Sequence, residues 1–115
     1  MTTTHEDWTF RIGDTWQVDY HCQEADGSPM ALPPGTLLSW KLDDANETHN
    51  WAARSDAAGI TITDADVGIC RLVFDSRQAT RHIIPGTYHD ELTVTRAGVI
   101  STMCVGTIYA RAKLK

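Results

Sequence analysis

The side chains best suited to metal binding or acid–base work are five histidines, at positions 5, 21, 49, 82 and 89, and three cysteines, at 22, 70 and 104. Their spacing does not assemble a site. His21 adjoins Cys22, but neighbours on a strand project to opposite faces and cannot readily share an ion. His82 and His89 flank Pro85-Gly86, with His89 expected on an outer face, and His5 and His49 fall in expected loops. All five read as surface histidines. Asp64-x-Asp66-x-Gly68 resembles the opening of a calcium loop, yet the places that need glycine and a bidentate glutamate hold Ile69 and Asp75, so the segment reads as a polar β-turn. No metal or cofactor is expected.

Covalent catalysis finds no better footing. The sequence has no Gly-x-Ser-x-Gly elbow and no Ser, Cys or Thr at a recognisable spacing from a base, the arrangement an activated nucleophile needs. Asp43 and Asp44 are neighbours in a turn, where paired carboxylates diverge. The glycines stand singly at turns rather than in a phosphate-cradling loop. The chain is therefore expected not to be an enzyme, with no catalytic residues.

Composition narrows the remaining classes. The chain has 115 residues and a formal charge of −5, with its only dense basic group at Arg111, Lys113 and Lys115. A nucleic-acid binder normally presents a basic face, so DNA and RNA are not expected partners. No apolar run approaches the ~20 residues of a membrane span. The start, Met1 to Asp7, has neither a basic stretch nor an apolar run, so no signal peptide is expected and synthesis in the cytoplasm is. Three cysteines without a Cys-x-x-Cys fit reduced, buried thiols, a Cys22–Cys104 bridge being the alternative.

The elements that would position any site are strands, because alternation dominates the sequence. Trp8, Phe10 and Ile12 share one strand face; Trp16, Val18, Tyr20 and Cys22 share the next. Leu38, Trp40 and Leu42 point inward from a third strand spanning about Thr36 to Leu42, and Trp51 to Ala53 form a short edge strand. Ile60 and Ile62 alternate with threonines, and Cys70, Leu72 and Phe74 oppose Arg71 and Val73. Ser76 to Arg81 is compatible with one helical turn. Tyr88, Leu92 and Val94 mark another strand, and Ala97-Gly98 turns into the last, where Gly106 suggests a bulge or bend. Seven or eight short strands separated by Gly, Pro and Asp turns predict an all-β, two-sheet antiparallel sandwich of immunoglobulin-like character. One domain spans 1–115, with 1–7 expected to be flexible.

The order of these pieces carries a resemblance. Gly13-Asp14-Thr15 opens the second strand, and Asp26-Gly27-Ser28-Pro29 turns out of it. Ile60 to Asp64 leads to Gly68; Thr80 precedes Pro85-Gly86-Thr87-Tyr88; Glu91 to Val94, Gly98, Ser101-Thr102 and Gly106-Thr107-Ile108 follow. From about Phe10 to Ala112 the chain resembles small structural proteins of tailed phages and prophages. It is similar to the N-terminal immunoglobulin-like domain of phage baseplate upper proteins. It departs from them at Asp90, where such proteins look usually aromatic. The resemblance implies a virion component of the tail, baseplate or neck region, made in a bacterial host, that works through contacts with itself or neighbouring virion proteins.

Four residues follow as candidates. Trp40 is expected in the core, and Tyr88 at a hydrogen-bonded corner beside Pro85-Gly86. Trp51, among polar neighbours, and Arg54 are the expected interaction pair. The competing expectation is a carbohydrate-binding sandwich that uses Trp51 with Asn46, Asn50 and Arg54.

Overall fold

The computed structural model describes residues 3–44, 49–56, 59–75 and 84–112, apart from the side chains of 49–51 and 75. Among these residues the chain forms nine strands: β1 (Thr3–Thr4), β2 (Trp8–Arg11), β3 (Thr15–His21), β4 (Leu37–Asp43), β5 (His49–Arg54), β6 (Ile60–Asp64), β7 (Ile69–Asp75), β8 (Gly86–Arg96) and β9 (Val99–Arg111). They make two sheets. The larger runs β1-β9-β8-β4-β5, with β2 also on β9, and the smaller runs β3-β7-β6. The fold is a β-sandwich.

Alternation builds the core. Leu38, Trp40 and Leu42 of β4 and Tyr88, Leu92 and Val94 of β8 face Cys70, Leu72 and Phe74 of β7, all of them buried. Fully burying one such apolar side chain is worth about 1.5–3 kcal/mol, so these three strands supply much of the stability. Met30 and Leu32, from the long connection between β3 and β4, close one end of the core. Gly68, in the turn Asp64–Gly68, lets that connection pass. Its φ is 76°, and a Cβ there would lie 2.3 Å from the Met30 carbonyl oxygen. Cys22, Cys70 and Cys104 are free, buried thiols. A hydrogen bond to Cys22, together with burial, pushes the Cys70 thiol well above its ordinary value.

Three features differ from the sequence reading. One strand more than expected is present, because Thr3–Thr4 pairs in parallel with Cys104–Val105, just upstream of where Trp8–Arg11 pairs in parallel with Ile108–Arg111. Residues 3–7, expected to be a flexible lead, run along β9 instead. Backbone pairing and the side chains of Thr3, His5 and Asp7 hold them there, and none of these leaves a hydrophobic period to read. The bulge expected at Gly106 lies at Met103: Leu92 pairs with Cys104 and Thr93 with Thr102, which leaves Met103 extra. Gly106 itself pairs regularly with Asp90. The helical turn expected over Ser76–Arg81 lies outside the described residues.

The β8–β9 hairpin closes through Ala97 (φ 52°) and Gly98 (φ 81°). Two successive positive φ values are the signature of a type I′ turn, which favours Asn-Gly. Alanine in the left-handed region is strained by roughly 1–2 kcal/mol. Ala97→Asn is therefore expected to raise stability by about 0.5–1 kcal/mol, read as a higher urea midpoint with an unchanged slope.

Candidate functional site

The least expected arrangement surrounds Asp90. It stands in β8 on the same face as Tyr88, Leu92 and Val94, and it is 3% exposed. Tyr20 Oη donates to Asp90 Oδ2 at 2.7 Å, and Trp40 Nε1 donates both to Tyr20 Oη at 2.9 Å and to Asp90 Oδ2 at 3.2 Å. His5 Nε2 lies 2.5 Å from Asp90 Oδ1, with side-chain exposures of 7% and 0% for the pair. The other ring nitrogen, Nδ1, faces the Glu6 carbonyl oxygen at 2.5 Å. A carbonyl only accepts, so Nδ1 is a donor.

Each partner of Asp90 arrives from a different part of the chain. Tyr20 comes from β3, Trp40 from β4, and His5 from the connection between β1 and β2. The imidazole stacks on Trp8 with ring centroids 3.6 Å apart and planes 4° apart. Trp8 in turn meets Trp16 and Tyr20, each with centroids 5.5 Å away. On its other side the imidazole occupies the space over Gly106, where a Cβ would come 2.1 Å from the ring. This corrects the reading of His5 as a surface residue: the sequence shows no partner because Asp90 is 85 positions away.

A buried carboxylate with this donor set is fully satisfied. Burial, with the Asp90 charge and hydrogen bond adding to it, pushes the Tyr20 phenol far above its ordinary value, so it remains a donor. The cluster ties both sheets and the N-terminal segment to one point. The signal that could have found Asp90 is its parity, a lone charge on the inward phase of an alternating strand.

The candidates from sequence are placed as follows. Trp40 is 1% exposed, at the middle of β4. Tyr88 is buried, and its Oη donates to the Ile84 carbonyl at 2.9 Å while Ile84 N donates to it at 3.2 Å, bracing the entry to β8. In β5, position 51 pairs with Leu42 and position 54 with Ser39, so the two belong to opposite faces of the strand. The Trp51 side chain lies outside the described residues, as does Asn46. Arg54 is exposed and pairs with Asp56 at 3.1 Å. His21 and His89 are exposed.

Two surface features complete the picture. A groove of about 700 Å³ crosses the outer face of the larger sheet, lined by Lys41, Asp43, His89, Glu91 and Thr107 among others. At the opposite end of β8 and β9, the hairpin tip exposes Val99 at 64% and Ile100 at 71%. Beside it is a small hollow of about 190 Å³ lined by Met30, Val94, Arg96, Val99 and Ser101. Arg96 is held over that hollow by Glu24 at 2.8 Å and donates to the Ala31 carbonyl. Compared with known families and with curated proteins, the chain matches no family model and no curated sequence.

Proposed function

We propose that the chain is a non-enzymatic structural or assembly module of a phage or prophage particle, acting through protein–protein contacts. The resemblance in strand and turn order supplies the setting. The sheet order, with Tyr88 bracing the corner before β8, supports an immunoglobulin-like version of the sandwich. The observation that carries the manner of action is the hairpin tip. Val99 and Ile100 are the two most exposed large apolar residues described and are consecutive. Adjacent apolar residues held out on a rigid hairpin suit a covered surface better than a solvated one.

The test is sedimentation of the wild type and of the double variant Val99→Ser/Ile100→Ser, alone and with tail, baseplate and neck proteins. The variant is expected to keep its melting temperature, because neither side chain contributes to the core. Its association is expected to weaken tenfold or more, the loss of about 1.4 kcal/mol. A wild-type chain that stays monomeric, ignores those proteins and binds a sugar on a glycan array would overturn this reading in favour of the carbohydrate one. The groove over Lys41, Glu91 and His89 would then be the place to look.

A further inference from the structure

The segment Thr3–Arg11 has the properties of an exchangeable arm. All its backbone pairing is to β9, two residues through β1 and four through β2, with His5 N donating to the Val105 carbonyl between them. It buries Phe10 in the core and seats His5 against Asp90 and over Gly106, with the arm's own Trp8 stacked on the imidazole. Only Ile12, Gly13 and Asp14 join the arm to β3, which lies in the other sheet. That connection is tight: Asp14 N donates back to the Arg11 carbonyl at 3.1 Å, and Gly13 adopts a φ of 95°. Short connections between sheets favour exchange, because identical contacts re-form in another copy once the hinge opens.

We propose that the arm exchanges between copies of this chain, so that the His5 of one copy occupies the Asp90 pocket of another. This deepens the assembly reading and rests on it, since exchange needs copies held at high local concentration. Release of the arm leaves a buried carboxylate with two donors instead of three, so an open pocket favours recapture of an arm from any copy. Specificity lies in the pocket. Gly106 leaves room for a ring, and the carboxylate calls for a donor where Nε2 stands. The linking of copies is set by the connection, and everything else is the same in the closed and exchanged forms.

The register supplies the probe, because Thr4 and Val105 are paired neighbours. One chain carries Thr4→Cys and a second, isotopically labelled, carries Val105→Cys; they are incubated together over a range of concentrations and then oxidised. The expected product is a covalent dimer whose cross-linked peptide joins position 4 of one chain to position 105 of the other, with a yield that rises with concentration. Gly13→Ala strains the closed turn and is expected to raise that yield about fivefold or more. Gly106→Ala excludes the imidazole from every pocket and is expected to lower it by a similar factor.

The chain carrying both introduced thiols is the geometric control. If it cross-links within single chains while the mixture gives no 4–105 link at any concentration, exchange is overturned. Association that is lost with Val99→Ser/Ile100→Ser but never yields the link would likewise overturn exchange and leave the assembly reading standing. A 4–105 link in a chain that binds no virion protein would uphold exchange and count against that setting.

Discussion

Trp40→Ala is expected to destabilise the fold by roughly 3–5 kcal/mol, the range for deleting a core aromatic, and to fall at the upper end of it. The indole is 1% exposed and centred among strands of both sheets, with Phe74 opposite at a centroid distance of 6.0 Å. The cavity left by its removal accounts for most of the loss. A second contribution comes from Nε1, which donates to Tyr20 and Asp90. Removing it takes one donor from a buried carboxylate, and a lost partner of that kind costs about 1–3 kcal/mol. Trp40→Phe separates the two effects, keeping most of the volume while losing the donor, so it should forfeit about 2 kcal/mol. Urea unfolding followed by circular dichroism measures both. A loss below about 1 kcal/mol for the alanine variant would show that the sheets do not close on this residue.

The second large effect belongs to His5. Removing one partner of a buried hydrogen-bonded pair leaves the other unsatisfied at a cost of about 1–3 kcal/mol, more for a charged group, whereas replacing both by apolar groups can be nearly neutral. His5→Phe preserves a ring to stack on Trp8 but leaves Asp90 Oδ1 without its partner, and a loss of about 3 kcal/mol is expected. The loss has a ceiling, because the arm can lift and admit water to the carboxylate. Limited proteolysis within residues 3–7 should therefore accelerate in this variant. Adding Asp90→Leu should restore part of the stability, since Trp40 Nε1 keeps Tyr20 Oη as its acceptor while the Tyr20 hydroxyl loses its own. A double-mutant cycle over the four chains gives the coupling directly. Losses that simply add would show that His5 and Asp90 act independently and that the arm is held by backbone pairing alone.

The local pattern of the sandwich was legible in the sequence because it is written in side-chain parity. Leu38, Trp40 and Leu42, or Cys70, Leu72 and Phe74, announce a strand and its buried face without reference to any other part of the chain. The turns were legible for the same reason: Ala97-Gly98 and Asp64 to Gly68 interrupt alternation and each ends on a glycine, the residue suited to left-handed backbone. Even the anomaly at Asp90 was visible as a charge on an apolar phase.

Tertiary structure alone decided what that charge does. A carboxylate on the inward face is explained only by its donors, and these come from positions 5, 20 and 40. No periodicity relates such positions, because the chain folds back on itself between them. The same holds for Gly106, whose missing side chain reads locally as a bulge but makes room for a ring from the other end of the protein. Positions 51 and 54 take opposite faces by spacing alone, but which of them lies opposite Leu42 and which opposite Ser39 followed only from register across β4. Parity along a strand is a local property of the backbone and survives in the sequence. Pairing, register and the convergence of polar groups depend on which strands become neighbours, and that is settled only when both sheets close on a common core.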